Sequence, residues 1–382
     1  MWDLIQKYNF SLLHLLSSFT LPIIIVLLGL KSNFSLIADI SILQSIIFMI
    51  FFPFSGYSRN YILNSSENDL IQSILNFRSL LYLPLILFSL LISYYIVSLD
   101  FKMLLLMVIV GSSFWFIEIF LTEAEKQKSS CITITLILFN LIGLIYLFSS
   151  EINLNSIRNY LFFLFIIYAP FISYTFLKNI FNVNFKNLKT TFKNKILRQI
   201  GGTTVVGLSS FILKFFLLLI LPKTIAGTIF LGYTIGAALC TTITYSFIPS
   251  VIFNNYIKLK RAFITFCIIF CMAGILVIII KYFKITILNK NQDLFLICSL
   301  FSLGGSLISI FSQYYKLYVS HIITDLNVFL YELLINLITI ILVILAVLFL
   351  NEYGSVFTYI LSGICSLYVY KNLFKKLKEL DQ

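Results

Sequence analysis

A polar stripe occurs twice in this chain, each time on an apolar segment long enough to cross a lipid bilayer. The first stripe consists of Ser11, His14, Ser18, Pro22, Ile25 and Gly29, and the second of Thr203, Gly207, Ser210 and Lys214. Spacings of three and four place each set on one helix face. Both segments contain the triplet Ser-Ser-Phe, and alignment of the triplets matches Ser18 with Ser210. The pattern predicts two related halves that turn hydrophilic faces toward one water-filled cavity, as a transporter would.

The composition favours an integral membrane protein. Hydrophobic residues make up 60% of the chain and charged residues only 11%, whereas roughly a quarter of the residues in a soluble domain are charged. The net charge of +12 is distributed mainly between apolar runs, as the positive-inside rule expects. We therefore expect membrane lipids, and no nucleic acid, as partners.

Motifs of catalysis and metal binding are absent from the sequence. The six cysteines lie in or beside apolar stretches, where we expect small, free core residues rather than disulfides or ligands. No Gly-rich phosphate loop, H-E-x-x-H or G-x-S-x-G motif occurs. The sequence predicts neither an enzyme nor a bound metal or cofactor.

Apolar runs of about 17 to 25 residues, the length that spans a bilayer, predict about twelve helices. The predicted ranges are 9–30, 35–58, 78–99, 103–121, 131–149, 159–178, 200–221, 226–253, 262–281, 294–312, 326–350 and 354–373. Of the 27 Lys and Arg residues, 19 lie in the termini and in the loops after even-numbered helices. Seven lie in the opposite loops, and Lys214 lies within a helix. This bias predicts that both termini are cytoplasmic.

Weak internal similarity predicts a 6+6 repeat. Besides the Ser-Ser-Phe triplets, residues 51–62 resemble residues 247–257, because Pro53 matches Pro249 and, after one gap, both stretches end in Asn-Tyr-Ile. Asn140-Leu141-Ile142 matches Asn336-Leu337-Ile338 at the same offset. We predict a six-helix bundle over 1–180, a basic cytoplasmic linker over 181–198 and a second bundle over 199–382. Because six is even, both bundles run in the same direction and enclose a central cavity between them.

Lys214 is the strongest candidate for substrate binding. It lies about fourteen residues into its predicted helix, where a charged side chain costs at least roughly 2.5 to 3.5 kcal/mol on insertion scales. We expect it to face an aqueous cavity and attract an anion, although a lysine can also extend its long stem to the interface. Thr203, Ser210 and Ser18 accompany it on the predicted cavity faces.

The other polar residues within the predicted spans have two competing interpretations. Glu332 and Glu118 could exchange protons or bind a coupling ion, or could pair with lysines as structural anchors. Asp39 is a third such candidate, but its place in the first turn of the second predicted helix also suits the positive helix end. The remaining cavity candidates are His14, Arg59, Arg78 and Asn336. Ordinary helix packing and topogenic charge compete with a substrate role for the first three.

The twelve spans, the basic linker and the repeated polar helix resemble the bacterial polysaccharide transporters of the multidrug/oligosaccharidyl-lipid/polysaccharide exporter superfamily. Length and an Ile-, Phe-, Asn- and Lys-rich composition resemble the O-antigen flippases among them. The resemblance implies transport of undecaprenyl-diphosphate-linked oligosaccharide across the bacterial inner membrane by alternating access. It also implies a polysaccharide polymerase and a chain-length regulator as partners, and a cavity-facing cation at Lys214.

Two other functions remain open at this stage. Related transporters export drug-like molecules or other small solutes, although Lys214 would repel cations. A membrane-embedded polysaccharide polymerase would need a sizeable outward loop, and the longest one predicted here, near 281–293, has only about a dozen residues.

Overall fold

The computed structural model describes residues 20–54, 68–126, 131–150, 152–181, 197–252, 256–288, 290–322 and 325–380. These residues form eleven α-helices of 18 to 31 residues and a shorter apolar helix, and no strand occurs among them. The helices are α1 (Thr20–Leu30), α2 (Phe34–Phe51), α3 (Asn68–Ile96), α4 (Phe101–Lys126), α5 (Cys131–Ser149), α6 (Leu154–Phe181), α7 (Leu197–Ile220), α8 (Lys223–Ile252), α9 (Tyr256–Tyr282), α10 (Gln292–Ile322), α11 (Asp325–Leu350) and α12 (Thr358–Leu380). Short 3-10 segments follow α2 (Phe52–Phe54) and α11 (Asn351–Phe357).

Six stretches of the described residues are long and apolar enough to cross a membrane. They are Phe34–Phe54, Ile71–Ile96, Phe101–Glu123, Gly202–Ile220, Gln292–Lys316 and Val328–Leu377. Their outward faces carry large apolar side chains, which only lipid or another apolar surface can cover at low cost. The chain is therefore a multi-pass membrane protein.

The chain divides into two compact units. The first contains the described residues of Met1–Ile24 and Ile42–Phe211, and the second contains those of Ile25–Ser41 and Ile212–Gln382. The boundaries fall inside α1, α2 and α7, so each of these helices contributes to both units.

Aromatic and polar contacts hold the first unit together. The ring of Phe51 in α2 meets the edge of Trp115 in α4 at 5.3 Å between centroids. Between α5 and α6, the Tyr168 hydroxyl donates to Asn140 Oδ1 at 2.8 Å, and both side chains are buried. Asn140 also donates to the carbonyl of Leu136 one turn earlier, at 2.7 Å. These bonds satisfy polar groups that would be costly to bury alone.

Small residues bring α8, α10 and α12 close together in the second unit. Ser302 and Ser306 of α10 donate to the carbonyl oxygens of Gly232 and Gly236 at 2.8 and 2.9 Å. A Cβ atom at Gly305 would overlap the backbone of α12. Small residues at regular spacing let helix backbones approach one another in a membrane. The three helices therefore interlock along much of their length.

The segment between α11 and α12 folds back onto this helix group. Gly354, Ser355 and Val356 are buried, and a Cβ atom at Gly354 would overlap the backbone of α11 at Ala346. The Tyr233 hydroxyl of α8 bonds both the Ser355 carbonyl, at 2.5 Å, and the Thr358 hydroxyl, at 2.7 Å. The start of α12 is thus at Thr358, four residues later than predicted.

Three sequence-based expectations about individual positions are wrong. Helix α3 begins at Asn68 rather than 78, and α10 continues to Ile322 rather than 312, because polar residues near those ends are paired inside the protein. Cys267 and Cys271 are free, as expected, but exposed on the apolar face of α9 rather than buried in a core.

Candidate substrate-binding residues

Eight of the predicted site residues lie within the described part of the chain. They are Lys214, Ser210, Thr203, Arg78, Asn336, Glu332, Glu118 and Asp39. His14, Ser18 and Arg59 lie outside the described residues, so the predicted stripe of the first helix is described only from Thr20 onward.

The first half of the α7 stripe contacts the end of α2. The buried Thr203 donates to the Pro53 carbonyl at 3.1 Å. A Cβ atom at Gly207 would lie 3.1 Å from the Met49 Cα. Ser210, one turn further on, is only partly buried. Thr203 therefore occupies a helix contact in this structure, and its role in substrate binding stays a prediction, as does that of Ser210.

Lys214 is a cation without an anionic partner among the described side chains. Its ammonium donates to the backbone carbonyl of Ser41 in α2 at 3.3 Å and lies 5.7 Å from the centroid of the Phe230 ring in α8. A carbonyl dipole and an aromatic face both stabilise a cation, but neither neutralises its charge. Within the described ranges, no carboxylate oxygen lies within 4.0 Å of this nitrogen.

Asp39 forms an ion pair rather than capping a helix. Helix α2 begins at Phe34, after Asn33, whose side-chain oxygen accepts the Leu36 N–H at 3.4 Å. Asp39 consequently lies in the second turn, and the predicted placement in the first turn is wrong. Its mostly buried carboxylate accepts a 2.7 Å bond from Lys223, the first residue of α8.

Arg78 and Glu118 belong to one cluster, in which the arginine is buried and the glutamate is partly exposed. The guanidinium of Arg78, fully buried in α3, donates to Glu118 Oε2 in α4 at 3.1 Å and to the carbonyl of Trp115. It also lies over the Trp115 ring, 4.9 Å from the centroid. From the sequence, Arg78 is a cavity candidate and Glu118 is a coupling-ion candidate or a structural anchor. The structure pairs them, which satisfies both charges within the first unit.

Glu332 and Asn336 belong to a second buried cluster, in the second unit. Glu332 Oε1 accepts bonds from Lys316 at 2.7 Å and from the Tyr370 hydroxyl at 2.5 Å. Asn336 donates to the Glu332 carbonyl at 2.8 Å. The cluster joins α10, α11 and α12. The geometry matches the anchoring alternative foreseen for Glu332, and a coupling role for it stays a prediction.

The partners of these carboxylates were not predicted from the sequence. Lys223 and Lys316 were counted only as topogenic charges, because both stand next to the predicted ends of apolar runs. Nothing in the sequence distinguishes Tyr370 from the other tyrosines in a chain that has 22 of them. The described portion of the chain contains no group of three or more His, Cys, Asp and Glu side chains that could hold a metal ion.

Comparison with known proteins adds a fold to this geometry. No family model and no curated protein matches the chain. One similar solved structure is described as the inward-facing conformation of a multidrug resistance MATE family transporter of the MOP superfamily. It has a TM-score of 0.63 at 12% identity, with 98% of this chain and 99% of that chain covered. The chain has the fold of a MATE transporter. A second structure, of MATE in the bent conformation, has a TM-score of 0.54 at 13% identity, with 98% and 95% covered.

The MATE fold confirms the predicted architecture. It is the all-α membrane fold of two six-helix bundles that the internal repeat indicated. Because sequence identity with both MATE structures is only 12 to 13%, the similarity shows the fold alone. The substrate has to be argued from the side chains of this chain.

Proposed function

We propose that the chain is an alternating-access transporter that moves undecaprenyl-diphosphate-linked oligosaccharide from the cytoplasmic to the outer leaflet of the bacterial inner membrane. The MATE transporter fold supports transport, and the environment of Lys214 supports an anionic substrate. A polysaccharide polymerase and a chain-length regulator are its proposed partners.

The observation that carries the proposal is the distribution of charge partners within the helices. Asp39, Glu118 and Glu332 each form an ion pair with a lysine or arginine. Lys214 contacts only a carbonyl and an aromatic ring among the described groups. A cation that is held in an apolar helix without a carboxylate attracts a negatively charged ligand.

The proposed substrate needs such a site because it cannot cross the bilayer unaided. Each desolvated charge or hydroxyl of its headgroup would cost several kcal/mol in about 30 Å of hydrocarbon. Lys214 would oppose the diphosphate, Ser210 and Asn336 would contact sugar hydroxyls, and the prenyl tail would remain in lipid. Alternate opening of the two bundles would expose the headgroup to each side in turn.

The test is flipping by the purified chain in proteoliposomes. A lipid-linked oligosaccharide placed in the inner leaflet becomes accessible to an external glycosidase only after flipping. We expect flipping by the wild type, at least tenfold less by Lys214→Ala and partial activity of Lys214→Arg, because arginine keeps the charge. In cells, Lys214→Ala should abolish surface polysaccharide at an unchanged protein level.

The matched control is Lys284→Ala. Lys284 is an exposed lysine in the loop after α9, so this variant loses the same charge away from the proposed site. Flipping by Lys214→Ala at the rate of Lys284→Ala would contradict the proposed function.

Export of drug-like molecules is the second candidate, because one of the similar structures is described as a multidrug resistance transporter. The same proteoliposomes can be loaded with a cationic fluorescent dye. Dye efflux that increases in Lys214→Ala, without flipping of the lipid by the wild type, would favour this candidate. The charge of Lys214 would then act as a barrier to cations rather than as an anion site.

A further inference from the structure

The ion pair between Lys223 and Asp39 lies on the same helices as Lys214. Lys223 pairs with Asp39, and Lys214 donates to the Ser41 carbonyl. Asp39 and Ser41 are two residues apart in α2. Phe230, which lies beneath Lys214, is seven residues after Lys223 in α8, and seven residues are close to two full turns. Both ammonium groups therefore lie along one stretch of α2 and one side of α8.

The two lysines differ in depth. Lys214 lies six residues before the end of α7 at Ile220, which corresponds to about 9 Å along the helix. Lys223 is the first residue of α8, three residues beyond that end. Lys223 is thus at the helix-end level and Lys214 is deeper in the span. In the predicted topology, Lys223 is on the outer side.

Lys223 stands in an unfavourable place for an unpaired cation. The amino end of a helix carries a partial positive charge, which repels a lysine there. Asp39 offsets this repulsion. The carboxylate is buried, with its side chain 8% exposed, whereas the lysine side chain is 37% exposed. A second anion can therefore approach Lys223 from solvent while Asp39 remains in place inside the protein.

We propose that Lys223 is a second, exit-side cation for the anionic headgroup and that Asp39 is its resident counter-ion. The inference rests on the proposed function. A diphosphate leaving Lys214 would meet Lys223, and Asp39 would compete for the same ammonium group. A transport site has to bind strongly enough to receive its ligand and weakly enough to release it. Competition from Asp39 keeps the outer cation from retaining the product.

The test measures binding of radiolabelled farnesyl diphosphate to the purified full-length chain in detergent. Lys223→Gln should weaken binding about fivefold, and Asp39→Asn should tighten it about fivefold, the scale of a partly exposed ion pair. Lys223→Arg should remain within twofold of the wild type. An ion pair with only a structural role predicts that both Lys223→Gln and Asp39→Asn weaken binding. Misfolding cannot produce the tighter binding expected of Asp39→Asn.

A matched control comes from the ion pair between Lys281 and Asp293, at 3.0 Å in the same unit. Asp293→Asn removes the same charge and should leave the affinity unchanged. In flipping assays, Asp39→Asn should lower the maximal rate by slowing product release.

Weaker or unchanged binding by Asp39→Asn overturns the role of Asp39. If Lys214→Ala still abolishes binding in that case, the proposed function stands and only this inference falls. If the wild type does not bind farnesyl diphosphate, both fall.

Discussion

Lys316 and Glu332 show how a pair of charges is accommodated inside a membrane helix bundle. Glu332 Oε1 receives both the Lys316 ammonium and the Tyr370 hydroxyl, and all three side chains are nearly inaccessible. Desolvation of two ions costs several kcal/mol each, and their attraction repays this only with good geometry and further hydrogen bonds. The cluster supplies both, which explains why a lysine and a glutamate lie on apolar helices.

We expect that removing one member of this pair destabilises the protein more than replacing both members. Lys316→Met leaves Glu332 buried without its cation and should lower the free energy of unfolding by about 3 to 5 kcal/mol. The double variant Lys316→Met/Glu332→Leu should be more stable than either single variant, because no unpaired charge remains. Unfolding by SDS titration measures all four proteins. Additive losses in the double variant would show that the two residues do not interact.

The sequence showed which polar residues are in unusual positions, but it did not show which residues they contact. The unusual position of Lys214 was visible because an apolar run surrounds it on both sides. The contact between Arg78 and Glu118 was not visible, since 40 residues separate them. Pairing across helices is set by packing, which a single sequence does not contain. The same holds for Asp39 and Lys223, 184 residues apart.

Helix α2 is held by glycines on the elements that cross it. In the first unit, Gly207 of α7 approaches Met49. In the second unit, Gly227 of α8 lies against the Phe34 carbonyl so closely that an added Cβ would overlap it. Backbone atoms cannot move aside as flexible side chains can. The start of α2 is therefore fixed by the absence of a side chain on α8.

Gly227→Ala should lower the thermal unfolding temperature of the detergent-solubilised protein by several degrees. Overpacking costs about 1 to 3 kcal/mol where a neighbour can adjust, and the neighbour here is backbone. Gly274→Ala in α9 is the matched control, because no atom lies within 4 Å of its added Cβ. Fluorescence-detected size-exclusion chromatography after heating measures both. Equal unfolding temperatures for the two variants would contradict this packing.

Helix number was predictable from the sequence, and helix ends were less so. Apolar runs predicted each helix because a helix needs about twenty apolar residues to span the hydrocarbon core of a bilayer. The runs broke off at Asn76, Arg78 and Lys316, yet α3 and α10 extend across these polar residues. These three side chains make hydrogen bonds or ion pairs within the protein. Polar residues therefore ended the predicted helices too early.

At the scale of the whole molecule, the distribution of charge predicts the membrane orientation. Most lysines and arginines outside the spans lie on the side predicted to be cytoplasmic. The exposed Lys371, Lys375 and Lys376 near the end of α12 belong to that side. The exposed Lys31 in the turn between α1 and α2 belongs to the other.

Cysteine labelling can test this orientation in intact cells. In a background with the six native cysteines replaced by alanine, Lys31→Cys should react with a membrane-impermeant maleimide added outside. Lys375→Cys should react only after the inner membrane is permeabilised. The reverse pattern would place the termini outside and contradict the orientation that the charges predict.

The segment Asn351–Phe357, in which Gly354, Ser355 and Val356 are buried, also has a practical consequence for imaging a protein of this size. Fusion partners that help particle alignment in electron microscopy are commonly spliced into outward loops. A splice between Gly354 and Ser355 would separate Tyr233 from both of its hydrogen-bond partners and part α12 from α8. Residues 283–287, which follow α9, are exposed. An insertion directly after Phe283 would leave the buried contacts of Tyr233 in place, which makes it the better graft point.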